Sequence, residues 1–332
     1  MPRRITVLAA VAAALALSPP AAAYLKLGTF AGTELIGIEW TNQPIRYFIT
    51  DRSVQGVTPQ QLQTAASRAF EEWSRPEDVD LTAQFQSLTG ADPHETDGLS
   101  VIGFRFLPDL DRTLGSTTWE FNETTGEVLE SDIFLNSAFS WSVAASGEAG
   151  RFDVESVLVH EVGHFLGLGH SALGETELVS GGRRVLGKGA VMFPIAFGPG
   201  SIADRTLDAD DIAGITDIYG TSAAEQKLGG IQGRVTLDGA GVFGAHVTAF
   251  NPATGDLVSG FTLTPSGNFV IAGLQPGQYV VRVEPLDDAD LDGFFGNEAA
   301  VELNFRVTYF NKQVAVPAGG TSSAIEIKVR RK

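Results

Sequence analysis

Residues 160–170 read HEVGHFLGLGH, and this stretch restricts the rest of the chain more than any other. His160 and His164 stand four residues apart, so on a helix both imidazoles leave one face about one turn apart. Glu161 follows the first His and lies beside that face, within reach of a water at a metal but not placed to ligate the metal itself. Gly167, three residues past His164, can take a positive φ, end the helix and turn the chain back. The turn brings His170 in as a third nitrogen ligand. Three neutral imidazoles with a fourth position left to water make an open zinc site, the catalytic kind. At ordinary residue usage the five fixed positions coincide by chance in roughly one in 10⁵ chains of this length. The chain has five His, and three of them fall here. A core helix that merely contained His would not need that concentration.

The pattern HExxHxxGxxH resembles the metzincin zinc-protease signature, whose partner is a Met-containing turn further along. Met192, in GAVMFP, is the only Met besides Met1. Ser171 directly after the third His, the run Met192-Phe193-Pro194, and LDADDIAGITDIYG at 207–220 are similar to the matrixin branch. Astacin- and serralysin-like members carry an extra Tyr ligand two residues beyond the Met; Pro194 stands there, which disfavours them. The resemblance covers about residues 40–220 and is strongest from 153 onward. It implies one catalytic zinc on His160, His164 and His170, with Glu161 as general base and Gly167 and Met192 as structural support. It also implies that Phe193 to Ala196, with Phe193 and Pro194 foremost, help wall the primary side-chain pocket. A strand at 114–119, carrying Gly115 and Ser116, would offer its edge to an antiparallel peptide. Calcium bound by carboxylates is a further family feature, with Glu130 and Asp132 as candidates; solvated acids at a strand end are the alternative. No His lies between 95 and 159, so the family's second, His-rich structural zinc is not expected.

Residues 1–23 read as a processing segment: Arg3 and Arg4, then the apolar ITVLAAVAAALAL, then AAA before Tyr24. The apolar run is too short to span a membrane and fits a cleaved signal peptide. Export, to periplasm or medium, is therefore expected, with no membrane anchor. Cysteine is absent, which excludes disulfides, thiolate ligands and thiol-based latency. A formal net charge of −17 argues against nucleic acid or anionic membrane as partner. Protein or peptide substrates are expected; the oligomeric state is left open.

The remaining pattern predicts an α+β catalytic domain over 24–220, a polar linker at 221–228, and a small all-β sandwich over 229–332. In the first part, IRYFITD (45–51) reads as a strand. Thr58, Pro59 and Gln61 form a helix-start signature. Leu62, Ala65, Ala66, Ala69, Phe70 and Trp73 then recur on one helical face. Four β runs follow between 81 and 136, the last two joined by a turn at Thr124, Thr125 and Gly126. Asp153 suits the N-cap of the zinc-site helix. ELVSGGRRVLGKG, between Ser171 and Met192, reads as an inserted turn or hairpin near the cleft. Asp208 and Asp211 open a last helix that Gly220 ends.

Beyond 229, short β runs alternate with Gly-, Pro- and Asp-containing turns, as in a β-sandwich. That stretch is similar to carboxypeptidase-regulatory-like modules of the transthyretin fold. His246 reads as a structural strand residue. DADLDG (288–293) has the start of a calcium loop, but Ala299 replaces the terminal Glu. Taken together, the sequence predicts a secreted zinc endopeptidase whose β-sandwich is dispensable for chemistry. The competing reading is an exported binding or adhesion protein in which the zinc is only structural; a structural site would have no need of Glu161. Hydrolysis of a non-peptide amide at the same zinc also stays open.

Overall fold

A computed structural model describes residues 26–31, 34–54, 56–110, 112–180, 182–295 and 300–332. The expected processing segment, 1–23, lies outside the described residues. The fold is α+β, an αβ lobe followed by a β lobe. No helix among the described residues is long and apolar enough to cross a membrane.

The first lobe opens with an antiparallel pair, β1 (Gly28–Ala31) and β2 (Glu34–Gly37). β3 (Ile45–Thr50) leads into α1 (Pro59–Ser74). Thr58 and Gln61 form the expected reciprocal cap, Gln61 N–H donating to Thr58 Oγ1 and Thr58 N–H to Gln61 Oε1. The apolar face read from the sequence, from Leu62 to Trp73, is buried. Strands β4 (Ala83–Thr89), β5 (Val101–Arg105), β6 (Gly115–Phe121) and β7 (Val128–Asn136) complete one sheet with β3, in the order β4-β3-β5-β7-β6. All neighbours run parallel except β6, which is antiparallel to β7 and forms an edge. A mostly parallel sheet needs helices over its face, and α1 provides one.

Two short parallel strands, β8 (Trp141–Ser142) and β9 (Phe152–Asp153), deliver the chain to the second helix, α2 (Val154–Phe165). It packs on α1 and on β6, and Trp73 Nε1 of α1 donates to Val159 O at 2.7 Å. The insertion between Ser171 and Met192 is the expected hairpin, β10 (Gly174–Val179) with β11 (Gly182–Lys188). The last long helix, α3 (Ala209–Tyr219), starts at the predicted cap and ends at Gly220.

The stretch expected as a polar linker, 221–228, has regular structure. It forms α4 (Ser222–Lys227), capped by Thr221 and tied down by a buried Ala224 and by Lys227 on Asp78 at 2.8 Å. The physical reason is in the residues: a hydroxyl cap followed by Ala, Ala, Glu, Gln and Lys favours helix over coil.

The second lobe is the expected sandwich. One sheet holds β12 (Gly229–Leu237), β13 (Ala240–Gly241), β16 (Asn268–Leu274) and β20 (Ile325–Val329). The other holds β14 (His246–Phe250), β15 (Leu257–Phe261) and β17 (Gly277–Glu284), with β18 (Thr308–Tyr309) and β19 (Val314–Val316) both on β17. His246 is buried on β14, 3.1 Å from Glu284. Here the two lobes are not separate bodies on a tether. α3 packs against β15 and β16, Asp210 accepts the Ser259 N–H at 2.6 Å, and a second apolar cluster joins Ala172 and Phe193 to Phe261, Leu286, Ala289, Phe294 and Phe295.

Candidate metal centre

The side chain of Asp153 starts α2 by accepting the Ser156 N–H at 2.8 Å, and its two oxygens also pair with Arg205 at 2.9 and 2.6 Å. Three aromatic side chains hold the other end, where helix carbonyls lack intrahelical partners. Trp119 Nε1 donates to His164 O, Trp40 Nε1 to Phe165 O, and Tyr219 OH to Leu166 O, at 2.8 to 3.0 Å. Gly167 then takes φ +99°, the left-handed turn read from the sequence. A Cβ there would sit 2.3 Å from the Ile38 carbonyl oxygen.

The turn brings His170 beside the helix, and the candidate ligand atoms of His160, His164 and His170 lie within 4.8 Å of one another. His164 Nε2 and His170 Nε2 are 3.1 Å apart. Two nitrogens at about 2.0–2.1 Å from one tetrahedral zinc stand roughly 3.3 Å apart, so the spacing fits. The outer ring nitrogens fit as well. His160 Nδ1 meets Val191 O at 2.8 Å, His164 Nδ1 meets Leu168 O at 2.8 Å, and His170 Nδ1 meets Gly293 O at 2.5 Å. A carbonyl only accepts, so each Nδ1 carries the proton and each Nε2 keeps its lone pair for a metal. Burial, then the neighbouring imidazoles, holds His160 well below the usual imidazole range. The same two causes lower His164 to about 3, and burial lowers His170. The three rings are therefore neutral ligands at neutral pH.

Glu161 is buried on the same helix and lies against β6. Its Oε2 accepts the Thr117 hydroxyl at 2.7 Å, and a Cβ on Gly115 would come within 2.7 Å of its Oε1. Burial pushes the carboxyl up to about 7, opposed by the Thr117 hydrogen bond; a cation in the His triad would draw it back down. Gly115 and Ser116, expected at the substrate edge, are half-buried on β6, and its outer edge has no strand partner among the described residues.

Met192 is buried. It fits because residue 163 is Gly: a Cβ there would stand 2.3 Å from Met192 Sδ and 2.7 Å from the Trp73 ring. Asp211 fixes the Met turn, its oxygens accepting Val191 N–H at 2.8 Å, Met192 N–H at 3.1 Å and its own N-cap Asp208 N–H at 2.9 Å. Next to it, Asp210 accepts the Ser171 hydroxyl at 2.5 Å. Burial pushes Asp210 up to about 6, and burial with the charge of Asp210 pushes Asp211 up to about 7.

Pro194 is half-buried beside the centre, but Phe193 is only 1% exposed and packs in the cluster between the lobes, against Gly174. Its ring packs with Phe261, Phe294 and Phe295 in that cluster. Each calcium candidate accepts a backbone N–H. Glu130 accepts the Gly98 N–H at 2.6 Å and Asp132 the Val101 N–H at 2.8 Å, while Asp288 accepts the Thr176 N–H at 3.0 Å. Among the described residues, three metal-ligating side chains come together only in the His triad. Reading the sequence alone misses Thr117, Gly163, Asp210 and Gly293. Asp210 stands between Asp208 and Asp211, which read as helix capping, and nothing in the sequence sets it apart from them.

Residues 39–220 match the matrixin family model, and 230–294 match the carboxypeptidase regulatory-like domain. The chain is 30% identical over 198 residues to Metalloendoproteinase 1-MMP of Arabidopsis thaliana, covering 55% of this chain and 44% of that one. It is 32% identical over 157 residues to Metalloendoproteinase 1 of Glycine max, covering 46% and 40% respectively. Karilysin of Tannerella forsythia is 23% identical over 198 residues, covering 56% and 34%. The chain thus spans less than half the length of the relatives it matches. The model match takes in more than half of the chain itself, including the His triad, the Met turn and α3, and on that ground the chain belongs to the matrixin family.

Proposed function

We propose that the protein is an exported zinc endopeptidase in which His160, His164 and His170 hold one zinc and Glu161 is the general base. The observation that carries this reading is the convergence of three neutral Nε2 atoms beside the buried carboxylate of Glu161, next to a strand edge that has no strand partner among the described residues. The relatives' names support the same reaction class, and the apolar N-terminal run supports export.

Zinc bound there would supply Lewis acidity, polarising a peptide carbonyl and acidifying a water. The chain's own residues do the rest. The open edge of β6 pairs antiparallel with an extended peptide and lays the scissile bond along Gly115 and Ser116. Glu161, held by Thr117, accepts the attacking water's proton at its carboxylate and passes it to the leaving amine. Because Gly115 has no side chain, Glu161 keeps its place against the strand. The apolar packing of Met192 under the triad keeps the ligands preorganised.

The test is metal content and peptide-library digestion on the same purified protein. One zinc per chain and cleavage of internal peptide bonds are expected, with Glu161→Ala keeping the zinc and losing the cleavage. Strong cleavage by Glu161→Ala would refute the assignment of the base, and a protein with full zinc but no cleavage of any peptide would favour a structural site.

A further inference from the structure

The three ligand rings are not braced by the same part of the molecule. His160 and His164 lean on carbonyls of their own lobe, Val191 and Leu168. His170 leans on Gly293, 123 positions further along and in the β-sandwich. Gly293 sits at the end of a one-turn 3-10 helix, Leu291–Gly293. Its backbone lies between the third ligand and the Met-turn residue Pro194. A Cβ at 293 would stand 3.9 Å from His170 Nδ1 and 3.8 Å from Pro194 Cβ.

The loop that carries Gly293 is fixed at several points. Phe294 and Phe295 are buried in the junction cluster with Phe193 and Phe261, and the Phe294 ring stands edge-on to His170 with centroids 6.0 Å apart. Asp288 is bonded twice to the inserted hairpin: its Oδ1 accepts the Thr176 N–H at 3.0 Å and its carbonyl accepts the Thr176 hydroxyl at 2.5 Å. Asp290 faces Arg183 of the hairpin at 3.5 Å and Arg112 at 3.4 Å. Hairpin and loop thus form one brace around the third ligand.

We propose that the loop 286–295 of the β-sandwich is a working part of the metal centre, with Gly293 O as the positioning acceptor for His170 and the β10–β11 hairpin as its anchor. The inference rests on the zinc reading given above. By taking the Nδ1 proton, the carbonyl fixes the tautomer, turns Nε2 toward the metal and raises the ring's basicity as a ligand. Loss of such an outer partner typically lowers metal affinity about 10–100-fold.

The experiment is zinc affinity of the full chain by competition with a chromophoric chelator, together with the absorption spectrum of the cobalt(II)-loaded protein. Phe294→Ala removes the aromatic anchor beside Gly293, and Asp288→Ala, a milder change, removes the carboxylate bond to the hairpin. Ile327→Ala, buried on β20 and outside the junction cluster, controls for general weakening of the sandwich. The expected result is a zinc affinity at least about tenfold lower in Phe294→Ala or Asp288→Ala, an altered cobalt spectrum, and neither change in Ile327→Ala. Wild-type affinity and spectrum in both loop variants would overturn the inference while leaving the zinc reading intact. So would an equal loss in Ile327→Ala, which would reduce the effect to domain stability. A wild-type chain that takes up no zinc would instead overturn the proposed function, and the inference with it.

Discussion

Gly163 offers a test in which two physical effects predict opposite signs. It lies inside α2, and replacing a mid-helix Gly by Ala should stabilise by about 1 kcal/mol from helix propensity alone. The packing says otherwise. The new methyl would stand 2.3 Å from Met192 Sδ and 2.7 Å from the Trp73 ring, and 3.0 Å from Met192 Cε. Trp73 cannot yield easily, being fully buried and bonded to Val159 O, so Met192 must move. Overpacking of this kind costs about 1–3 kcal/mol. The net expectation for Gly163→Ala is a loss of up to about 2 kcal/mol once the propensity gain is subtracted. Displacing Met192 also pulls on Val191, whose carbonyl braces His160, so zinc affinity should fall with stability. Urea unfolding of the metal-free and zinc-loaded protein gives both quantities. Met192→Ala removes the nearer obstacle, so Gly163→Ala should cost less in that background, a coupling of about 0.5–3 kcal/mol as for residues in contact. A Gly163→Ala protein that is more stable than wild type, with no coupling to residue 192, would refute the packing argument.

Three further outcomes follow from the same site. Gly115→Ala should push Glu161 off its position, lowering kcat at least about tenfold while zinc content stays at one per chain; metal analysis beside steady-state kinetics separates the two. Thr117→Val removes the hydrogen bond that opposes the burial-driven rise of the Glu161 pKa. Since the base works only when deprotonated, the acid limb of the kcat/KM profile should move to higher pH, and an unmoved limb would exclude Thr117 from that role. Asp210 has a folded pKa pushed up to about 6 by burial, so its contribution to stability is present below its ordinary value near 4 and is lost as pH rises through about 6. Asp210→Asn should flatten that decline in denaturant midpoints measured across pH 4–7.

Much of the first lobe is legible because its signals are local. The cap at Thr58 and Gln61, the apolar face of α1, the turn at Gly126 and the His spacing each need only a few neighbouring residues to be read. The β runs also fall where alternation and turn residues place them, since each strand has one buried face to satisfy. The reading failed where a residue's partner is distant in sequence. Asp211 looks like a helix cap and is one, yet the same carboxylate holds the backbone of Val191 and Met192. Nothing in the composition of α3 distinguishes an acid aimed at solvent from one spent on a turn about twenty residues earlier. In the polar stretch 221–228 the signals for α4 are local as well, a hydroxyl cap followed by residues of good helix propensity.

The junction shows why a domain boundary drawn from sequence need not bound a site. The motif set of the first lobe is complete by Gly220, and nothing before that point reports that His170 will find its acceptor at Gly293. A backbone carbonyl has no residue-type signature, so a partner of this kind leaves no trace in the sequence that supplies it. What can be read are its consequences. A DADLDG run that lacks the acid to close a calcium loop needs some other use for its carboxylates, and Asp288 and Asp290 find it on Thr176, Arg183 and Arg112. A Met turn whose aromatic is buried rather than facing a cleft needs a partner surface, and Phe261, Phe294 and Phe295 are in its cluster. The inserted hairpin needs a reason to be ordered beside the His triad, and the loop it holds provides one. Each oddity has an ordinary explanation in isolation. Their convergence on one ligand is what makes the β-sandwich part of the centre rather than an attachment to it.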